Sequence, residues 1–206
     1  MIAVIDYGAG NLGSVYKALR AANGEAEVTR DPETIRRADG LVLPGVGAFT
    51  HCMNGLASAG LVEPTLAYLA TGRPFLGICV GLQMLFDASD EMGMSPGLGV
   101  LRGRVVRFAF DGENADLKIP HIGWNSIDFR PDAPLFAGLH PGDRVYFVHS
   151  FYPVPDDPSI VTATSEYGYR FCAAIQVGNV HATQFHPEKS GAVGLRILRN
   201  FAALCT

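Results

Sequence analysis

Apolar and polar positions follow two rhythms along this chain. In the first half, Ile2–Ile5 is an unbroken apolar run, as in a parallel strand buried on both faces. A glycine-rich turn follows, and from about Asn11 apolar Val15, Leu19 and Ala22 recur at helical spacing. Ala26–Thr29 and Leu41–Leu43 read as the next strands, with Pro32–Ala38 a short helix between them and Leu61–Ala70 another helix. Phe75–Cys79 reads as a strand running straight into a helix, Val80–Phe86, with Leu82, Leu85 and Phe86 on one face. This βαβα order predicts an α/β fold, a mostly parallel central sheet flanked by helices.

From about Gly97 the rhythm shortens. Val105–Phe110, Asn125–Phe129, Val145–Phe151, Ile160–Ser165, Cys172–Val177 and Val180–Gln184 are strand-like and separated by Pro, Asp and Gly. Tyr167-Gly168 and Gly178-Asn179 read as hairpin turns. These strands are expected to be antiparallel, added to the C-terminal half either as a continuation of the sheet or as a separate one. A closing helix over Gly191–Leu204 places Val193, Ile197, Leu198 and Phe201 at helical spacing, with Ser190 at its N-cap. No internal repeat and no long linker interrupts the chain, so one domain over residues 1–206 is expected.

Composition narrows the chemistry. About half of the 206 residues are apolar and 17% are charged, ordinary for a soluble enzyme and enough for a core without staples. The net charge is −4 and no Lys/Arg run exceeds two, which argues against nucleic acid as a main partner. The 24 glycines sit in short clusters beside apolar runs, as tight turns do. Cys52, Cys79, Cys172 and Cys205 form no C-x-x-C and show no zinc spacing with histidine, so neither metal nor cofactor is expected. Met1 leads into a strand-like segment rather than a signal peptide, and no apolar run nears membrane-spanning length. A cytoplasmic location with free thiols follows as the expectation.

One cysteine stands apart. Gly77-Ile78-Cys79-Val80-Gly81 lies where a strand meets a helix, the cysteine form of a nucleophile elbow. Such a turn strains the nucleophile's backbone, and flanking glycines remove Cβ atoms that would collide. A helix N-terminus then aims free N–H groups at the sulfur and favours thiolate. The amide of Val80 is placed to stabilise an oxyanion. Cys52, Cys172 and Cys205 lack this setting and read as structural. Near the other end, Gln184-Phe185-His186-Pro187-Glu188 closes the strand run. Residues two apart on an extended chain face one side, so His186 and Glu188 can address one site, and Pro187 keeps His186 extended. The imidazole can move a proton and the carboxylate can fix its tautomer. His51, His140 and His181 read as ordinary surface or core histidines.

Gly77-Ile78-Cys79-Val80-Gly81-Leu82-Gln83 together with Gln184–Glu188 resembles the class I (triad) glutamine amidotransferases. Asp6-Tyr7-Gly8-Ala9-Gly10-Asn11, Pro44-Gly45-Val46-Gly47-Ala48-Phe49, Pro120-His121-Ile122-Gly123-Trp124-Asn125, Tyr146-Phe147-Val148-His149-Ser150-Phe151 and Phe185–Ser190 narrow it. With them the chain resembles, over residues 2–204, the glutaminase subunits of imidazole glycerol phosphate synthase in histidine biosynthesis. The resemblance implies that Cys79 attacks the glutamine amide, with His186 as base and Glu188 as its orienter. Pro44-Gly45-Val46-Gly47 also reads as a glycine turn at a strand end that can bring backbone N–H groups close to a ligand, so a second oxyanion donor is expected from Val46 or Gly47. Gln83, one helical turn past Cys79, is placed for the amino-acid end of the substrate. His149, Ser150 and Phe151 are implied in the glutamine pocket, although Phe151 replaces the family's common tyrosine and so lacks its hydroxyl. The resemblance also implies a cyclase subunit as partner in a heterodimer, with Asn11, Trp124 and Lys189 near the interface. A cysteine-elbow peptidase on a related sheet would not need His-Pro-Glu at the far end.

Overall fold

The apolar runs of the first half form the buried middle of one sheet. In the computed structural model, which describes residues 1–205, β1 (Ile2–Ile5), β2 (Ala26–Thr29), β3 (Gly40–Gly45) and β4 (Phe75–Cys79) pair in parallel, in the order β2-β1-β3-β4. β1, β3 and β4 are buried at every position. Helices supply the cover that such strands need: α1 (Leu12–Ala21), α2 (Pro32–Arg37), α3 (Phe49–Ser58), α4 (Val62–Leu69), α5 (Val80–Gln83) and the closing α6 (Gly191–Leu204). Among the described residues, no helix is long and apolar enough to cross a membrane.

The second half supplies β5 (Phe86–Ser89), β6 (Ser95–Pro96), β7 (Leu101–Arg107), β8 (His121–Ser126), β9 (Asp128–Phe129), β10 (Arg144–His149), β11 (Phe151–Pro155), β12 (Val161–Tyr167), β13 (Tyr169–Val177) and β14 (Val180–Thr183). Both alternatives left open by the sequence occur. β14 joins the main sheet parallel to β4, and β13, β12 and β9 extend it antiparallel to eight strands. Separately, β11-β7-β5-β6 forms a four-stranded sheet and β8-β10 a two-stranded one.

Several elements differ from expectation, among them Val145–Phe151, which is divided at Ser150 between β10 and β11 in separate sheets, and Asn125–Phe129, which is divided between β8 and β9. The helix after Cys79 stops at Gln83 instead of reaching Phe86. The carbonyls of Met84 and Leu85 are taken by the amides of Leu98, Val100 and Leu101, so Phe86 enters a strand and not another helical turn. α3 was not expected: Ala48 at its N-cap makes no side-chain bond, and Glu91, far along the chain, accepts from the Phe49 amide at 2.7 Å. Trp124, which lies just outside the strand expected over Asn125–Phe129, is in β8 opposite Tyr146 of β10.

Neighbouring strands fix where chemistry can occur. Gly45 at the end of β3 pairs with Cys79 at the end of β4, and Thr183 at the end of β14 pairs with Ile78. The carboxyl ends of three adjacent parallel strands thus converge, the usual place for a site in an open α/β sheet. The approach is close enough to exclude side chains. A Cβ on Gly77 would lie 2.8 Å from the Gly81 carbonyl oxygen, and one on Gly81 would lie 1.9 Å from the Leu43 carbonyl oxygen. Gly81→Ala is therefore expected to cost about 1–3 kcal/mol or more through overpacking, read as a lowered midpoint in urea unfolding. An unchanged midpoint would mean that β3 and the elbow can part freely.

Candidate active site

Cys79 occupies the sharp turn between β4 and α5. Its φ is +55° and its ψ −109°, a conformation that side chains rarely adopt and that the surrounding packing must hold. The sulfur faces a cavity of about 480 Å3 lined by Val46, Gly47, Val80, Gln83, His149, Ser150, Phe151, His186 and Lys189 among others, within the roughly 300–1,000 Å3 usual for small-molecule sites. Of the residues singled out from the sequence, these and Cys79 meet at one place. Glu188 lies behind His186 and does not line the cavity.

His186 comes from the far end of the chain and is held from three directions. Its amide donates to the Tyr146 carbonyl at 2.9 Å, and the Ser190 hydroxyl donates to its carbonyl at 2.6 Å while accepting from the Tyr146 amide at 2.9 Å. Ser190 therefore does not cap α6 with its side chain, as expected from sequence; its hydroxyl is spent on this clamp. The backbone at His186 is extended (φ −100°, ψ 96°), but Pro187–Lys189 then forms a 3-10 turn. The turn, and not a continuing strand, brings the Glu188 carboxylate back to the ring: His186 Nδ1 lies 2.8 Å from Glu188 Oε1, with both side chains 1% exposed. The remaining ring nitrogen, Nε2, is buried without a hydrogen-bond partner, as is Glu188 Oε2. Burial opposes a charge on the ring, but the Cys79 sulfur and the Glu188 carboxylate outweigh it and push the imidazole up to about 10.

His149 in the pocket and His121 beside it stay neutral. Burial pushes His149 down to about 3 and His121 to about 4. His149 Nδ1 lies 2.9 Å from the Phe151 carbonyl, and its Nε2 lies 3.0 Å from His121 Nδ1. His181, buried in β14, is likewise pushed down to about 4 by burial. The Phe151 carbonyl also accepts from Gln83 Nε2 at 3.0 Å, so the backbone at this position is engaged even without a tyrosine hydroxyl.

The Asp6–Asn11 segment has a buttressing place beside the site. Buried Tyr7 donates to the Pro44 carbonyl at 2.6 Å, and Cys52 donates to the Val46 carbonyl at 3.4 Å. Gly10, at φ +108°, lets the loop rest on the Pro44 ring. Asn11 and Trp124 do not line the cavity. Trp124 is 48% exposed and packs edge-on to Tyr146 with centroids 6.2 Å apart, and Lys189 Nζ stands 5.9 Å over the same tyrosine ring. Pro120 and Val148, members of the sequence motifs with no role of their own assigned, and Glu91, which the sequence did not single out, also line the cavity. Glu91 carries no local signal, because its partner at the start of α3 is distant in sequence.

The chain matches the model of the family described as glutamine amidotransferase class-I over residues 3–205. It is 57% identical to "Imidazole glycerol phosphate synthase subunit HisH" of Syntrophotalea carbinolica, over 98% of each chain. It is 53% identical to the subunit of the same name from Geobacter metallireducens, over 98% of this chain and 97% of that one. In fold it is similar to the structure of PurLQS from Thermotoga maritima, with a TM-score of 0.73 at 19% identity, covering 97% of this chain and 96% of that one. The chain belongs to the class-I glutamine amidotransferases, and within them to the HisH subunits of imidazole glycerol phosphate synthase.

Proposed function

We propose that this enzyme hydrolyses L-glutamine to glutamate and ammonia through Cys79, His186 and Glu188, and that a cyclase subunit takes up the ammonia in histidine biosynthesis. The observation that carries the reading is the buried, unpartnered Nε2 of His186 beside the Cys79 sulfur at one cavity. With Nδ1 engaged by Glu188, Nε2 is the nitrogen free to exchange a proton with the thiol. The thiolate attacks the side-chain amide carbon of glutamine. The Val80 amide, with that of Val46 or Gly47, stabilises the oxyanion. The imidazolium gives its proton to the departing nitrogen, and ammonia leaves a glutamyl thioester. Water, its proton taken by the same ring, attacks the thioester and releases glutamate and the thiolate.

The pocket suits the rest of glutamine. Gln83 has committed its Nε2 to Phe151 and Gln184, so the group it can offer a ligand is its carbonyl oxygen, an acceptor. Glu91 adds a carboxylate to the same cavity, and both suit the substrate's ammonium group. His149, Ser150 and Phe151 form the facing wall.

The partner reading rests on the rim. Ile122 and Trp124 of β8 are 59% and 48% exposed. Trp124 adjoins Tyr146 and, through it, Lys189, and Asn11 heads α1, which packs on the Pro187–Lys189 turn. A cyclase docked there would receive ammonia before water protonates it, and would convert a phosphoribosyl-formimino carboxamide ribotide into imidazole glycerol phosphate and an aminoimidazole carboxamide ribotide.

Three measurements test this reading. In the complex, Cys79→Ala is expected to abolish glutamine-dependent synthesis and to leave synthesis from ammonium salts intact; loss of both would make Cys79 structural. Glutamate release by the chain alone is expected to rise when cyclase and ribotide are added, and the absence of stimulation would remove the partner assignment. Because the imidazolium must donate a proton, activity is expected to fall as pH rises through about 10. Glu188→Gln removes one of the groups that raise the ring, so this descending limb is expected to move to lower pH, with kcat reduced on the order of 10²-fold. An unmoved limb would detach Glu188 from the ring.

A further inference from the structure

The motif that supplies His186 also supplies Gln184, a fully buried polar side chain that the mechanism above leaves unused. Its surroundings determine which way its amide points. The Phe151 carbonyl oxygen can only accept, so Gln83 must turn Nε2 toward it, at 3.0 Å, beside the bond from His149 Nδ1. The same Gln83 nitrogen lies 3.1 Å from the Gln184 amide, which must therefore present Oε1 to it. The other end of that amide, Nε2, then lies 3.7 Å from Cys79 Sγ. A flipped Gln184 would set N–H against N–H at Gln83 and a lone pair against the sulfur.

We infer that Gln184 is a further catalytic residue, donating a side-chain N–H to the Cys79 sulfur and favouring its thiolate form. Gln83 and the Phe151 carbonyl act behind it as positioning groups. The amide matters twice in the cycle. It stabilises the anion that attacks glutamine, and it stabilises the same anion when water expels it from the thioester. A donor on the sulfur makes the thiolate more abundant and each thiolate less nucleophilic, so its largest benefit falls on thioester breakdown. The inference rests on Cys79 being the nucleophile.

Other ionisable groups also face the sulfur. His186, backed by Glu188, stands on one side. Tyr7 and Cys52 lie behind β3, both neutral because burial raises them. Glu91 and Lys189 stand across the cavity. A substitution at Gln184 alters none of these, so a change in the sulfur's titration reports on the amide.

The experiment follows the rate of Cys79 alkylation by iodoacetamide in the full chain from about pH 4 to pH 10, because only thiolate reacts, with the label assigned by mass spectrometry. Gln184→Met keeps length and removes the donor. Its profile is expected to reach half-plateau about one to two pH units higher, the range for a hydrogen bond to a charged group. Gln184→Glu keeps the shape and sets a carboxylate near the sulfur, so its half-plateau is expected to move at least as far in the same direction. Thermal unfolding identifies which variants fold, and if Gln184→Met does not, Gln184→Leu, which also lacks the donor and adds no charge, is read in its place. A profile that superimposes on the parent's in a folded variant, whatever the loss of activity, overturns the inference. Glutamine hydrolysis by Cys79→Ala, measured alongside, separates the two readings: its survival would remove the nucleophile assignment, whereas the alkylation profile tests Gln184 without reference to the substrate.

Discussion

The backbone of Gly81 lies against that of Leu43 with no side chain between them, and the site depends on that approach. The room for one methyl group is missing, since a Cβ there would stand 1.9 Å from a carbonyl oxygen. Gly45 and Gly77 repeat the constraint on either side of the elbow. The result is that β3 and β4 end level with one another, with Cys79 directly beside Gly45 and the Val46–Gly47 turn immediately above it. The packing around the elbow holds Cys79 at positive φ, a conformation that costs about 1–3 kcal/mol, so the strain accompanies how closely the strands sit. A looser sheet would let the turn relax and carry the sulfur away from the cavity.

The imidazole arrives by a different route, and its placement depends on hydrogen bonds more than on close packing. β14 inserts beside β4 and delivers the chain to the correct edge. From there, Tyr146 and Ser190 hold the backbone of His186 on both sides, and a proline-initiated 3-10 turn returns Glu188 to the ring. Tyr146 links this clamp to the rim, because its ring meets Trp124 and Lys189 while its backbone bonds His186. A group docked at the rim would therefore touch the scaffold that holds the base. The two halves of the chain thus contribute a nucleophile fixed by sterics and a base fixed by polar contacts.

Much of this was legible in sequence where the physics is local. The apolar runs at β1 and β4, the spacing along α6 and the glycines around Cys79 each report a constraint met within a few residues, and the structure reproduces those segments closely. Illegible features depend on distant partners. α3 begins without a cap of its own because Glu91 supplies one from another loop. The elbow helix stops early because the amides of residues 98–101 take the Met84 and Leu85 carbonyls just past its end. Ser190 had the right residue type for a cap, yet tertiary contacts redirected its hydroxyl. His186 and Glu188 were expected to meet by strand alternation and do so by a turn, so the pairing was readable although the reason for it was not.

The neutral histidines have a consequence for the acid tolerance of the fold. His121, His149 and His181 sit at about 4, 3 and 4 in the native protein because burial penalises their charge, whereas an unfolded histidine titrates near 6.5. In the window between those values the denatured chain binds protons that the native chain refuses, so acidification favours unfolding, beginning just below pH 6.5 and growing to about pH 3–4. Protonation of both rings would also break the contact between His121 and His149, because His121 Nδ1 and His149 Nε2 would then both carry an N–H. The loss of stability thus sets in before the carboxylates are neutralised, whereas the wall of the pocket itself takes up protons only at about pH 3–4.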